Sequence, residues 1–159
     1  MSAMLKKTLH IYTTPPYEGG GIMSVLSAYQ EHVPVFNEHG YEYERLDIPY
    51  TTHTWSPLDN LFYIVTQQLA VAKRLRRKDV SVVHIHTSRG YLFAKDMFLS
   101  LVIHFLFMIP VCMTVHMTPM RAVFHRIGWL KRALRWIMNH CTRRVFFLSH
   151  ATRCEFVQS

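Results

Sequence analysis

Three groups of residues in this sequence have the types and spacing that chemistry needs. The first is the triplet Gly19-Gly20-Gly21. Before it, Thr8 to Thr13 alternates polar and apolar residues and stops at Pro15-Pro16; after it, Ile22, Val25, Leu26, Tyr29 and Val33 fall on one helical face. Glycines at a strand-to-helix junction let the backbone approach a ligand closely, and the free N–H groups of a helix start attract an anion. The triplet therefore suits a phosphate or diphosphate, with a plain turn as the competing reading. No Gly-Lys-Ser or Gly-Lys-Thr follows it, which excludes a P-loop.

The second group is His84 and His86, two residues apart in the β-type run Val80 to His86 and so on one strand face. That spacing begins a metal site, but such sites also need acidic ligands at later strand ends. None occurs in Thr114 to Thr118 or at Leu148-Ser149, so no metal is expected. The loop that follows, Thr87-Ser88-Arg89-Gly90, offers hydroxyls and a cation to an anionic ligand; a solvated loop arginine is the alternative. The third group, His116-Met117-Thr118-Pro119, ends the apolar run Val111 to Val115. A histidine there is either a hydrogen-bonded structural residue or a ligand contact. In open parallel sheets ligands bind beyond the carboxyl ends of the strands, and convergence of these three ends would make one polar cleft, with Ser149-His150 at its border.

The elements that must position these groups follow from local pattern. Gly40 ends the first helical segment, inside which Pro34 forces a kink or break. Tyr41 to Leu46 alternates like a half-exposed strand. Ser56 is placed as the N-cap of a second helix, with Pro57 in its first turn and Asp59 at its positive end. Leu58, Phe62, Val65, Leu69 and Ala72 keep helical spacing, and the helix closes on Lys73, Arg74, Arg76, Arg77 and Lys78, which complement its dipole. Met97 to Val115 is apolar enough to suggest a membrane span, but His104 and Pro110 interrupt it, so a buried helix followed by a buried strand is expected. A basic helix over roughly 121–141 and a strand over 144–148 complete the pattern. Regular alternation of strands and helices implies right-handed crossovers and a parallel sheet covered on both faces.

With 159 residues the chain has enough length for one domain with a real core, and an apolar half argues against disorder. The net charge of +8 points to anionic partners. Cys112, Cys141 and Cys154 are scattered and odd in number, as expected of reduced intracellular thiols, and no apolar run near the N-terminus has signal-peptide length. Charge concentrates between Arg121 and Arg144. There Val123, Ile127, Leu130, Leu134, Ile137 and Cys141 form an apolar stripe, flanked by Lys131, Arg132 and Arg135 with Trp129 and Trp136 seven residues apart. The stripe is expected against the sheet, leaving the cations and tryptophans for anionic lipid headgroups. Nucleic acid would match the charge too, but no nucleic-acid motif is present.

Pro15-Pro16-Tyr17-Glu18-Gly19-Gly20-Gly21-Ile22, Val82-Val83-His84-Ile85-His86, Thr114-Val115-His116 and Phe147-Leu148-Ser149 occur in an order and spacing that matter together. Over nearly the whole chain they resemble the N-terminal domain of family-4 glycosyltransferases, retaining enzymes with the two-domain glycosyltransferase-B fold. The resemblance implies an α/β, Rossmann-like parallel sheet with helices on both faces. It implies Gly19, Gly20, Gly21 and Ile22 beside the donor diphosphate and acceptor, and His116 at the reaction centre. His86, Ser88, Arg89 and Thr118 would line the acceptor side of the cleft. The family usually has a small residue where this chain has Met117. Because the family's nucleotide-sugar pocket lies mostly in a second domain, residues 1–159 are expected to be an acceptor-side domain, incomplete at its C-terminal end and inactive alone. The resemblance further implies a nucleotide-sugar donor, a glycan or lipid-linked acceptor, polysaccharide biosynthesis, no cofactor or metal, and a cytoplasmic location, peripheral at the membrane through Lys131, Arg132 and Arg135. The alternatives are a non-catalytic basic module that binds a membrane or partner, and a metal-dependent hydrolase.

Overall fold

The computed structural model describes residues 5–14, 21–49, 56–88, 91–116 and 128–148. In chain order they form β1 (Lys6–Thr14), α1 (Gly21–Glu31), α2 (Val33–Glu38), β2 (Tyr41–Pro49), α3 (Pro57–Leu75) and β3 (Val80–Thr87). Then follow α4 (Tyr91–Phe107), β4 (Val111–Val115), α5 (Gly128–Cys141) and β5 (Arg144–Phe147). The strands are parallel, in the order β2-β1-β3-β4-β5, one of the common doubly wound orders. This is the α/β, Rossmann-like class that the alternation implied. The chain divides into two compact units, 1–83 and 84–159, with the boundary inside β3.

In the first unit β1 pairs with β2 from Lys6 opposite Tyr41 to Thr14 opposite Pro49. Leu9, Ile11 and Tyr12 of β1 are buried with Leu26 of α1, Val71 and Leu75 of α3, and Val83. Local chemistry sets the boundaries. Pro34 falls in the first turn of α2, where its missing N–H costs nothing, and α1 has already ended at Glu31. Gly40 takes φ +80°, a conformation that side chains disfavour, and its carbonyl accepts the Lys6 N–H at 2.9 Å where β1 begins. Ser56 caps α3 as its sequence predicts. Its Oγ accepts the Asp59 N–H at 3.2 Å, and the Asp59 carboxylate accepts the Ser56 N–H at 3.2 Å.

The apolar spacing of α3 locates the helix but not its buried face. Leu58, Phe62, Val65 and Leu69 are exposed, whereas Gln67, Val71, Arg74 and Leu75 are buried. Arg74 does more than complement the helix dipole. Its guanidinium pairs with Glu44 and with Asp79 (Nη1 to Oδ1, 2.7 Å), and Lys7 Nζ lies 3.1 Å from Asp79, 3.3 Å from Glu42 and 3.4 Å from Glu44. Two facing cations hold the Glu44 and Asp79 carboxyls below the usual carboxylate range.

In the second unit β4 pairs with β5, from Cys112 opposite Arg144 to Val115 opposite Phe147. Phe93, Met97, Leu99 and Ile103 of α4 are buried with Val111, Met113 and Val115 of β4. The run from Met97 to Val115 is thus a helix and a buried strand, as expected, but the helix is only half covered. Phe98, Phe105 and Leu106 face solvent, because α4 has apolar residues all round and its partners cover one side. On α5, which packs on α4, Leu134, Ile137 and Cys141 are buried. The rest of the expected stripe, Val123 and Ile127 and the Leu130 side chain, lies outside the described residues. Trp129, Arg132, Arg135 and Trp136 are exposed, and the Trp136 ring stacks on His140 at 4.7 Å. Among the described residues no helix is long and apolar enough to cross a membrane.

Candidate active site at the ends of β3 and β4

β3 carries His84, His86 and Thr87 toward its carboxyl end, and strand alternation puts the two histidines on one face. Their rings stack with centroids 4.3 Å apart. β4 runs alongside in parallel and presents Thr114 and then His116. The His116 N–H donates to the Thr87 carbonyl at 2.9 Å, which carries the ladder one residue beyond β4 and fixes the His116 backbone. Two side-chain hydrogen bonds join the strands. His84 Nε2 lies 2.8 Å from Thr114 Oγ1, and His86 Nδ1 lies 3.1 Å from His116 Nε2.

Burial controls the charge of this cluster. It pushes the His116 imidazole down to about 4, and burial together with the nearby His116 pushes His84 down to about 4. Both rings are therefore neutral at pH 7. A neutral imidazole has one N–H and one bare nitrogen, so in the His86–His116 contact one ring donates and the other accepts. If His86 donates, His116 keeps its own proton on Nδ1; if His86 accepts, Nδ1 is the bare nitrogen. Either way His86 selects the tautomer of His116. The His116 Nδ1 atom is itself buried and has no hydrogen-bond partner among the described residues.

Two further buried polar atoms share that condition. Thr87 Oγ1, at the end of β3, and Asp96 Oδ2, in the second turn of α4, have no partner among the described residues. Asp96 Oδ1 accepts from Lys95 Nζ at 2.6 Å, and both side chains are almost wholly buried. Buried polar atoms are nearly always paired in folded proteins, and the first unit has such orphans too, at Gln67 Oε1 and the Gln68 amide. What distinguishes Thr87 Oγ1 and His116 Nδ1 is their place at the carboxyl ends of parallel strands, where ligands bind in such sheets.

The structure thus brings His86 and His116 together and places half-buried Ser88 directly after Thr87. Gly21 and Ile22 open α1 in the first unit. Gly19, Gly20, Arg89 and Thr118 lie outside the described residues. Lys131 belongs to α5, and Arg132 and Arg135 are exposed on it. Sequence reasoning passed over Thr114, Lys95 and Asp96. An adjacent Lys-Asp pair inside the otherwise apolar Phe93 to Leu99 was the available signal for the last two.

A doubly wound parallel sheet with polar side chains at its strand ends defines the class of α/β domain in which ligands bind beyond the carboxyl ends of the strands. The family model described as "Glycosyl transferase 4-like domain" matches residues 9–156, and the chain belongs to that family. No curated protein matches the sequence.

Proposed function

We propose that this chain is the acceptor-side domain of a retaining glycosyltransferase that moves a sugar from a nucleotide-sugar donor to a glycan or lipid-linked acceptor. The observation that carries the reading is His116: neutral at pH 7, oriented by His86, pinned by its own backbone, and holding one buried ring nitrogen without a partner among the described residues. A preoriented neutral imidazole is suited to hydrogen-bond a sugar hydroxyl while charge develops on the sugar and on the departing diphosphate. In the transfer, the bond from the anomeric carbon to the donor phosphate oxygen breaks and a bond to the acceptor oxygen forms with configuration retained. The electron pair of the broken bond leaves with the diphosphate, which also receives the acceptor's hydroxyl proton.

The N–H groups at the start of α1, following Gly19 and Gly20, suit the diphosphate, so the reading requires neither metal nor organic cofactor. Ser88, Arg89 and Thr118 are assigned to the acceptor side, and His86 acts through His116 as a positioning residue. The nucleotide is assigned to a second domain. Polysaccharide assembly at the cytoplasmic face of a membrane fits such an acceptor, with Lys131, Arg132 and Arg135 of α5, beside exposed Trp129 and Trp136, meeting anionic headgroups.

The test pairs this domain with a nucleotide-sugar-binding domain and measures turnover. His116→Ala is expected to lower kcat by ~10²–10³, the usual cost of one preorganised contact in a transition state, while the thermal midpoint stays near that of the parent protein. Residues 1–159 alone are expected to give no product with any nucleotide sugar. An unchanged kcat, or robust transfer by 1–159 alone, would overturn the proposal.

A further inference from the structure

The strongest unassigned feature is the outer side of α3. Leu58, Leu61, Phe62, Val65 and Leu69 are 77, 58, 72, 46 and 62% exposed. With 3.6 residues per turn they fall within an arc of about 100°, one continuous stripe rather than scattered apolar residues. The opposite side, buried in the first unit, carries Gln67 and Arg74 beside Val71 and Leu75. The helix therefore shows its more apolar face to solvent, the reverse of an ordinary surface helix.

The side that carries the stripe does not remain apolar. It runs on into Lys73 and Arg76, and Arg77 and Lys78 follow; all four are exposed, whereas Arg74 is consumed by Glu44 and Asp79. The only carboxylate of α3, Asp59, is engaged in the Ser56 cap at the far end. A second copy of the chain fits this surface poorly. A parallel helix pair would set like charges together. An antiparallel pair centred on the stripe would bring each basic end toward the partner's Ser56 end, where the carboxylate of Asp59 is already committed to the cap. Apolar side chains that merge into a cluster of cations match the boundary between acyl chains and anionic headgroups.

We infer that α3 is a lipid-docking helix. Leu58, Leu61, Phe62, Val65 and Leu69 enter the acyl boundary of an anionic bilayer, and Lys73, Arg76, Arg77 and Lys78 meet its headgroups. The inference shares with the proposed function only the class of partner. It places a membrane surface on the first unit, distinct from the cations of α5, and it does not depend on sugar transfer.

The experiment is co-sedimentation of residues 1–159 with vesicles of phosphatidylcholine alone or mixed with phosphatidylglycerol. Three variants are compared: a stripe variant (Phe62→Ser with Leu69→Ser), an α3 charge variant (Lys73, Arg76, Arg77 and Lys78 each →Gln), and an α5 charge variant (Lys131, Arg132 and Arg135 each →Gln). The circular dichroism of all three variants should match that of the parent. Wild type should prefer the anionic vesicles, and the stripe and α3 charge variants should each lose at least about tenfold in partitioning, with rising salt weakening the parent. Failure of wild type to bind, or retention of full binding by the stripe variant, overturns the inference. Loss confined to the α5 variant overturns it too while leaving a membrane surface on α5. A concentration-dependent dimer in sedimentation velocity that the stripe changes abolish, with vesicle binding intact, would assign the stripe to a second copy.

Discussion

The first unit buries Arg74 and gives its guanidinium two carboxylates, Glu44 and Asp79, with Lys7 closing the network on the same acids. The second buries His86, Thr87, Lys95 and Asp96 and leaves Thr87 Oγ1, Asp96 Oδ2 and His116 Nδ1 without partners among the described residues. Both arrangements take polar groups out of water, and both must repay that desolvation. In the first, the repayment is internal and complete, so its product is a fastened helix: α3 is tied to β2 and to the turn before β3. In the second it is incomplete among the described residues. The paired network reads as architecture, and the unpaired atoms at the strand ends, where ligands bind in parallel sheets, as a candidate site.

The comparison breaks most sharply at Asp96. Asp96→Ala removes the carboxylate beside a buried lysine and should destabilise the protein by about 3–5 kcal/mol, whereas replacing the pair together, Lys95→Met with Asp96→Leu, should restore or exceed the parent's stability. Urea titrations of both variants check this. A double variant as unstable as the single one would mean that the pair is structural after all.

Arg74→Ala strands Glu44 and Asp79, but those acids are partly exposed and recover some hydration. The expected loss is about 2–3 kcal/mol, below the cost for a fully buried pair. The same titration measures it. A loss below about 0.5 kcal/mol would show that the first unit does not depend on its network.

Acid should also separate the units. The imidazoles of His84 and His116 titrate near 4 in the folded protein against an ordinary 6.5, so between those values the unfolded chain binds more protons and stability falls as pH falls. Each histidine removes at most about 1.4 kcal/mol per pH unit over that window. Glu44 and Asp79, held low by Arg74 and Lys7, keep their contribution at pH 5 and lose it only as pH drops below the ordinary carboxylate range, about 4. Guanidinium midpoints should be lower at pH 5 than at pH 7, and His84→Gln with His116→Gln should flatten that difference. Equal midpoints in the parent protein would mean that the rings are not desolvated.

Much of the fold is legible from single residues and short windows. Ser56 with Asp59 writes the start of α3, Pro34 the break between α1 and α2, and Gly40 the turn into β2, because each acts on backbone within four residues of itself. The strand ends that carry His86 and His116 are legible for the same reason. That the two rings meet is not, since thirty residues separate them and only the pairing of β3 with β4 sets their distance.

Periodicity marks the limit most clearly. A repeat of 3.6 establishes that Leu58, Phe62, Val65 and Leu69 share a side of α3, and it is silent on whether that side meets the sheet or the solvent. The choice falls to the partners of Arg74. Glu44 on β2 and Asp79 ahead of β3 pull the opposite side inward, through contacts no local pattern encodes. The sequence by itself determined the elements, their caps and the chemistry at the strand ends, because those depend on neighbours along the chain. The tertiary structure alone decided which helix faces are buried, which imidazole orients which, and which polar atoms go unpaired, because those depend on neighbours in space.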